Sequence, residues 1–309
     1  MQREAVCQVS GALQNLEKEG VEMIANNSFN PQNCTQPENL SVNFEIICQS
    51  QSNGFVDENF VVPTFELLQG IVIDIWENII FSDSEQGICK LDLKSKKMTR
   101  MKMANIANCT TLTISNKGTL FALDDVNKRV SCMYIDSQTQ TLYPYHRQQH
   151  FASMQSNLEN PVSAVVDNDE KYLYVVDCRI HVIKRLEISH ADNIQIFCGD
   201  PAFPGFEDGI GERARFHYPL DIAKNKMCSN LYIADNHNDA IRSVHIASKT
   251  VKTILKYSQS PNRLFVDRNE DIFFSTPSNL LKFSQKGQLT SLLPESASKN
   301  RDFSKHFAL

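Results

Sequence analysis

Three short stretches carry residue types that could do chemistry. Asp235-Asn-His-Asn-Asp239 offers carboxylates, amides and an imidazole within five residues, donor types that suit a divalent cation. Gly209-Ile-Gly-Glu-Arg-Ala214 spells G-x-G-x-x-A, the spacing with which a glycine turn brings backbone N–H groups onto a pyrophosphate. Cys178 stands beside Arg179, and a neighbouring cation favours a thiolate. Each stretch also has a plainer reading. Asn and Asp side chains hold tight turns without any metal. The dinucleotide fingerprint needs a buried strand before it and a helix after it, whereas here a Pro-containing loop precedes Gly209 and Pro219 follows closely. A lone cysteine at a strand end is more often packed than reactive. No nucleophile elbow is present, so no Ser-His-Asp order can be argued for His181 or His237. The expectation is a non-enzymatic chain with no catalytic residue, no cofactor and no metal.

A different pairing recurs along the chain. An acid is followed seven residues later by a base in Asp83 and Lys90, in Asp177 and Lys184, and in Asp235 and Arg242. Catalysis rarely repeats from unit to unit, so these six residues read as structural pairs, each joined across a short turn. Their setting is a unit of four short apolar runs written five times, opening at Gly70, Thr111, Asn160, Phe216 and Ser260. Aligned on the second run, Asp83, Asp124, Asp177, Asp235 and Ser275 are equivalent, at intervals of 41, 53, 58 and 40 residues. The two long intervals hold extra loop at 142–158 and 199–215. Runs rich in Val, Ile, Leu, Phe and Tyr, bounded by Asn, Asp, Gly, Ser or Lys, are strand signals, and helical periodicity is weak here. Four strands every forty-odd residues predict one small twisted sheet per unit. Such a sheet cannot bury both faces alone. Sheets packed face to face around an axis can, so the predicted fold is an all-β β-propeller of four-stranded blades. The turns equivalent to 236–239 read SEQG, DVNK, CRIH and TPSN and share no recurring ligand, which argues again against an axial metal.

The fourth unit resembles an NHL repeat. The residues that carry the likeness are Gly199, Pro204, Gly205, Asp208 and Gly209 in the lead-in, Ala214 and Phe216, Pro219 opening the first strand, Asp235 ending the second, Asn238 in the turn, and Ile241-Arg242 in the third. The match is strong over 198–256, partial in the first and third units, and degenerate in the second and fifth, spanning 62–293 in all. The resemblance implies a six-bladed ring. Only five units are visible, so Val42-NFEIIC and Phe55-VDENFVV are expected to supply strands of a sixth blade, since an open ring would expose unpaired edges. Coiled coils precede NHL propellers in tripartite-motif ubiquitin ligases. Here Val6, Val9, Leu13, Leu16, Gly20 and Met23 are spaced 3-4-3-4-3, which predicts a helix over 1–24. That helix serves either an oligomer-forming coiled coil or a prop against the propeller. No RING or B-box cysteine–histidine pattern accompanies it, so no ligase activity is expected. The predicted order is a helical segment 1–24, a linker 25–41, the propeller 42–293 and a polar tail 294–309.

Composition narrows the partners. Of 309 residues, 41% are hydrophobic and 22% charged, enough for a sizeable core. The net charge of −5 is concentrated early: residues 1–61 hold eight acids and two bases, while 62–293 hold 26 of each. A neutral body argues against a strong nucleic-acid footprint. Nine scattered cysteines without a CxxC pair fit reduced, packed thiols. The N-terminal residues lack the apolar core of a signal peptide, so the sequons at Asn26, Asn33, Asn39 and Asn108 read as chance matches and the expected location is the cytoplasm. No apolar run approaches the ~20 residues of a membrane span.

Topology then places the partner. In a four-stranded meander, the loop into strand one and the turn between strands two and three leave on the same face. Long loops on a rigid rim are favoured binding sites. Arg179, His181, Phe203, Phe206, Arg213 and His237 are therefore the candidate contacts, with Phe203 and Phe206 alternatively folding back on their own loop. The rim mixes Lys128, Arg129, Arg179, Arg213 and Arg215 with Asp200, Glu207, Asp208, Glu212 and Asp239. That balance ranks a protein partner first, ahead of an RNA-binding NHL propeller or a divergent metal-dependent propeller hydrolase or lyase.

Overall fold

The computed structural model describes residues 21–26, 43–49, 56–57, 60–61, 68–83, 87–95, 97–101, 109, 111–124, 126–135, 142–144, 154–155 and 158–293. Five antiparallel sheets follow one another along the chain. The first blade comprises Leu68–Ile73, Ile79–Asp83, Gly87–Asp92 and Lys97–Arg100. The second comprises Thr111–Ile114, Thr119–Asp124, Arg129–Ile135 and Leu142–Pro144. The third comprises Pro161–Val166, Tyr172–Asp177, Val182–Glu187 and His190–Cys198. The fourth comprises Pro219–Lys224, Asn230–Asp235, Ala240–His245 and Thr250–Lys256, and the fifth Arg263–Val266, Ile272–Ser275, Leu280–Phe283 and Leu289–Ser291. The long intervals also contribute strand. Met154–Gln155 pairs with Arg129 and Val130, and Gly209–Ile210 pairs with Thr250 and Val251 on the outer edge of the fourth blade.

Two strands that precede the first blade, Val21–Asn26 and Asn43–Gln49, pair with each other, as do Val56–Asp57 and Phe60–Val61. The helix expected over 1–24 falls outside the described residues up to position 20. Val21–Asn26 itself is strand, running across what were to be the helix end and the start of the linker. Most of the linker 25–41 and all of the tail 294–309 lie outside the described residues.

Because successive strand residues point to opposite faces, a strand covered on both sides must be apolar throughout. In the first blade, Ile80 and Ile88 pack with Leu112 and Leu120 of the second, while Ile79, Phe81, Cys89 and Leu91 form a separate buried cluster on the other face. The pattern repeats around the ring. Phe121 and Cys132 meet Leu173 and Val175 of the third blade, Tyr174 and Phe197 meet Leu231 and Ile233 of the fourth, and Tyr232 and Ile241 meet Phe274 and Leu281 of the fifth.

The first strands of the blades lie side by side and line an axial cavity, to which every described blade contributes: Gly70, Thr111, Ser163, Asp221 and Arg263. Contact there is close. A Cβ on Gly70 would stand 2.6 Å from the backbone nitrogen of Leu112. Gly70→Ala is therefore expected to lower stability by ~1–3 kcal/mol through overpacking, read as a lower urea midpoint with an unchanged slope.

Candidate binding face

Beneath the face, the acid that ends strand two ties three strands together. In the third blade the Asp177 carboxylate accepts the Glu159 N–H (2.9 Å) and the Asn160 N–H (2.7 Å) of the lead-in, and pairs with Lys184 Nζ at 2.8 Å. In the fourth blade Asp235 accepts the His217 N–H (2.8 Å) and Asn238 Nδ2 (2.8 Å), and pairs with Arg242 at 2.8 Å. Register explains the seven-residue spacing. Asp235 lies opposite Ala240, and Arg242 is the next residue on the same side of that strand. In the first blade Lys90 is buried, and the Asp83 side chain lies outside the described residues. The second blade has the acid but shifts the base: Asp124 pairs with Arg129, directly opposite, at 3.1 Å, and position 131 is a buried serine. The fifth blade has the base without the acid, so Lys282 turns to Asp271 at 2.7 Å.

Arg242 is the hub of the fourth blade. Its side chain is 0% exposed. One terminal nitrogen donates to Asp235 and to the Arg215 carbonyl, and the other donates to the Glu207 carbonyl (2.8 Å) and Asp208 (2.7 Å). Asp208 also accepts the backbone N–H and the hydroxyl of Thr253. The lead-in loop is thus pinned to its blade from inside. Gly199 starts that loop at φ +98°, and a Cβ there would lie 2.7 Å from the His181 carbonyl, so the position requires glycine.

The candidate contacts fall into two groups, one on this loop and one on the turns of the third and fourth blades. Phe203 is 62% exposed, with the Arg215 guanidinium 5.1 Å from its ring centroid. Phe206 is 45% exposed and lies between Arg242 (4.9 Å) and Lys256 (4.2 Å). Each ring is therefore stacked on cations of its own blade and still presents area to solvent. Arg213 is exposed on the one-turn helix Gly211–Arg213. With Gly209–Ile210 a two-residue edge strand and Gly211–Arg213 a single 3-10 turn, the G-x-G-x-x-A run lacks the strand–helix frame of a phosphate site.

The second group is built around two residues that sequence reasoning missed. His217 and Tyr218 lie in the lead-in to the fourth blade, between the turns that carry His181 and His237. The His217 ring makes edge contacts with His181 (5.5 Å between centroids) and His237 (4.9 Å), and Tyr218 stacks on His237 at 4.6 Å. The Tyr218 N–H donates to His181 Nδ1 (3.1 Å). His181 and His237 thus sit on adjacent blades and share a neighbour, rather than facing each other across the ring. The signal for His217 and Tyr218 was the topological rule itself, which puts the residues before Pro219 on this face. Arg179 is exposed on the neighbouring one-turn helix Cys178–Ile180. Cys178 is buried, and burial together with the Asp177 charge pushes its thiol up to about 12, the reverse of an activated thiol.

Burial, and the neighbouring imidazoles, hold His181 and His237 below the ordinary value of 6.5; at His237 the Asp239 charge works in the opposite direction. A lowered folded pKa means that the unfolded chain binds more protons just below pH 6.5, so stability is full above that value and falls as the pH drops through it. The fall is expected to be small, since both rings remain partly solvated. Thermal melts from pH 7.5 to 5 should show it, and His181→Asn with His237→Gln should flatten the slope; an unchanged slope would mean other groups set it.

Among the described residues, no three His, Cys, Asp or Glu side chains are grouped to hold a metal, and no helix is long and apolar enough to cross a membrane. The chain matches no known family profile and no curated protein. Many solved structures share its fold. A chain of the nidogen/laminin complex superposes with a TM-score of 0.61 at 13% identity, covering 90% of this chain and 92% of that one. An auxiliary nutrient binding protein from Bacteroides ovatus gives 0.53 at 15% identity, covering 69% and 57%. This chain therefore spans less than two thirds of the nutrient binding protein's length. Virginiamycin B lyase from Staphylococcus aureus gives 0.50 at 12%, covering 72% and 69%. At these identities the likeness is one of fold. Sheet order and neighbours together define an all-β protein with five antiparallel four-stranded blades in a propeller arrangement.

Proposed function

We propose that this protein is a non-enzymatic propeller of NHL type that docks a protein partner on the face carrying Arg179, His181, His217, Tyr218 and His237, with Phe203 and Phe206 at its margin. The observation that carries the reading is the cluster of three imidazoles and one phenol, with His237 and Tyr218 exposed and His181 and His217 half-buried, held on two blades whose buried ion pairs fix the backbone beneath it. Rings presented on a rigid rim make contact area at low entropic cost, which is what protein interfaces favour. The NHL assignment is supported by the buried Asp235–Arg242 pair and by the lead-in that Arg242 anchors. A sixth blade drawn from 42–62 fits a match over 90% of the chain, because the five blades lie within 68–291.

Affinity capture with the purified chain, followed by binding measurements on the retained protein, tests the reading. A variant with Arg179→Ala, Phe203→Ala and His237→Ala is expected to keep its melting temperature and to lose at least ~2 kcal/mol of partner affinity if these are central contacts. Tight binding to an RNA pool that weakens steeply with salt would replace the protein partner with a nucleic acid. Stoichiometric zinc or calcium in the purified protein would instead favour a hydrolase or lyase.

A further inference from the structure

The axial cavity has a composition unlike that of the loop face and bears on a different ligand. Its volume is about 130 Å³, close to that of an engineered cavity that holds one benzene. Most of its lining surface is polar, and Ile71, Phe265, Phe273 and Leu280 supply the apolar part. Most of its polar lining is already engaged. Ser163 Oγ donates to Asp221 Oδ1 at 2.5 Å, the Leu264 N–H donates to Asp221 Oδ2 at 2.7 Å, and Thr111 Oγ1 donates to the Val162 carbonyl at 2.8 Å. Lys282, whose ammonium lies 5.4 Å from the Phe273 ring centroid, is paired with Asp271. Arg263 is the exception. Its side chain is 31% exposed, its one ionic contact is Asp221 at 3.8 Å, and its guanidinium makes no hydrogen bond to any described residue. Five N–H donors therefore stand beside aromatic walls with no acceptor of their own.

We infer that this cavity binds a small monocarboxylate with a single planar apolar body, the carboxylate on the Arg263 guanidinium and the ring against Phe265 and Phe273. A planar fork of donors matches a carboxylate in two parallel hydrogen bonds. A bare inorganic anion would leave the Phe265 and Phe273 rings uncovered, so it is expected to bind less tightly than a carboxylate that carries a ring. Asp221 is the backing group that steadies Arg263 from the protein side. Burial pushes its carboxyl up, against the nearby Arg263 charge and its hydrogen-bond donors, which weakens its hold on the guanidinium. The site is independent of the loop face and of any partner bound there.

Phenylacetate is the probe. Titrated into the full chain and followed by calorimetry and ligand-observed NMR, it should bind saturably at one site in the millimolar range or below. Benzyl alcohol, which keeps the ring without the charge, should bind about tenfold more weakly, since a charge-assisted pair contributes on the order of 1.4 kcal/mol over a neutral one. Benzylamine should not bind. Arg263→Gln should weaken phenylacetate at least tenfold while leaving benzyl alcohol unchanged. Phe273→Leu, which alters only a wall, should weaken both ligands and serves as the second variant if Arg263→Gln does not fold. The inference fails if phenylacetate shows no saturable binding, if Arg263→Gln binds it as wild type does, or if inorganic phosphate binds as tightly.

Discussion

Arg242→Met will destabilise the protein by ~3–5 kcal/mol and loosen the lead-in loop of the fourth blade. The size follows from what the substitution strands. The Arg242 guanidinium supplies four hydrogen bonds, to two carboxylates and two backbone carbonyls. A methionine fills much of the volume and none of the acceptors. Asp235 then remains as a buried carboxylate held only by the His217 N–H and Asn238, and breaking one side of a buried pair costs several kcal/mol. The pair is not a simple gain in the native protein. Burial pushes the Asp235 carboxyl up against the pull of Asn238, His217 and Arg242, and Arg242 Nε is buried without an acceptor among the described residues. Its value is as a tie that reaches the loop. Arg242→Lys keeps the charge but cannot span four acceptors and should fall between. Urea denaturation gives the energy. Limited proteolysis gives the location, with new cleavage expected between Phe203 and Arg213 in the methionine variant. A variant within about 1 kcal/mol of wild type, with the loop still protected, would show that desolvation of the guanidinium cancels its contacts.

The same residue shows how far the sequence could be read. Strand-length apolar runs, acids at their ends and turn residues between them specify sheets and their order, because each is a local property of a few residues. The seven-residue interval to the base is also local, since it follows from one hairpin register. It does not extend to the second blade, where the base sits directly opposite the acid, or to the fifth, where a serine stands in place of the acid and Lys282 turns to Asp271. What Arg242 does beyond Asp235 was not legible. Glu207 and Asp208 lie 34 or more residues away in sequence, and nothing short of the folded loop brings them to the guanidinium. The axial residues were hidden for a related reason. Asp221 and Arg263 are charged positions in successive first strands, which is a signal, but only the ring closes Ser163, Asp221 and Arg263 around one cavity. His217 and Tyr218 were within reach, since the rule that chose His181 and His237 also covers the residues before Pro219.

In the third blade, removing Lys184 will cost more than removing both members of its pair. Asp177 is wholly buried and Lys184 nearly so. Lys184→Met leaves a buried carboxylate with two backbone N–H donors, those of Glu159 and Asn160, and without the cation it paired with. The expected loss is ~3–4 kcal/mol. Asp177→Asn is milder in charge but removes one of two acceptor oxygens, so one lead-in N–H loses its partner and the ammonium loses its buried counter-charge; ~2–4 kcal/mol is expected. In the double variant neither charge of the pair remains. The single amide oxygen introduced by Asp177→Asn can still serve one N–H, and the loss in the double variant should lie near that of Asp177→Asn alone. A double-mutant cycle therefore should give a coupling of roughly 3–4 kcal/mol, about the full loss expected for Lys184→Met. That coupling reports the penalty of an orphaned charge more than the net worth of the bridge, which is why the pair can be energetically modest and still be found in the two blades with the longest lead-ins. Coupling below about 0.5 kcal/mol would mean that water reaches the site and that Asp177 serves the lead-in backbone alone.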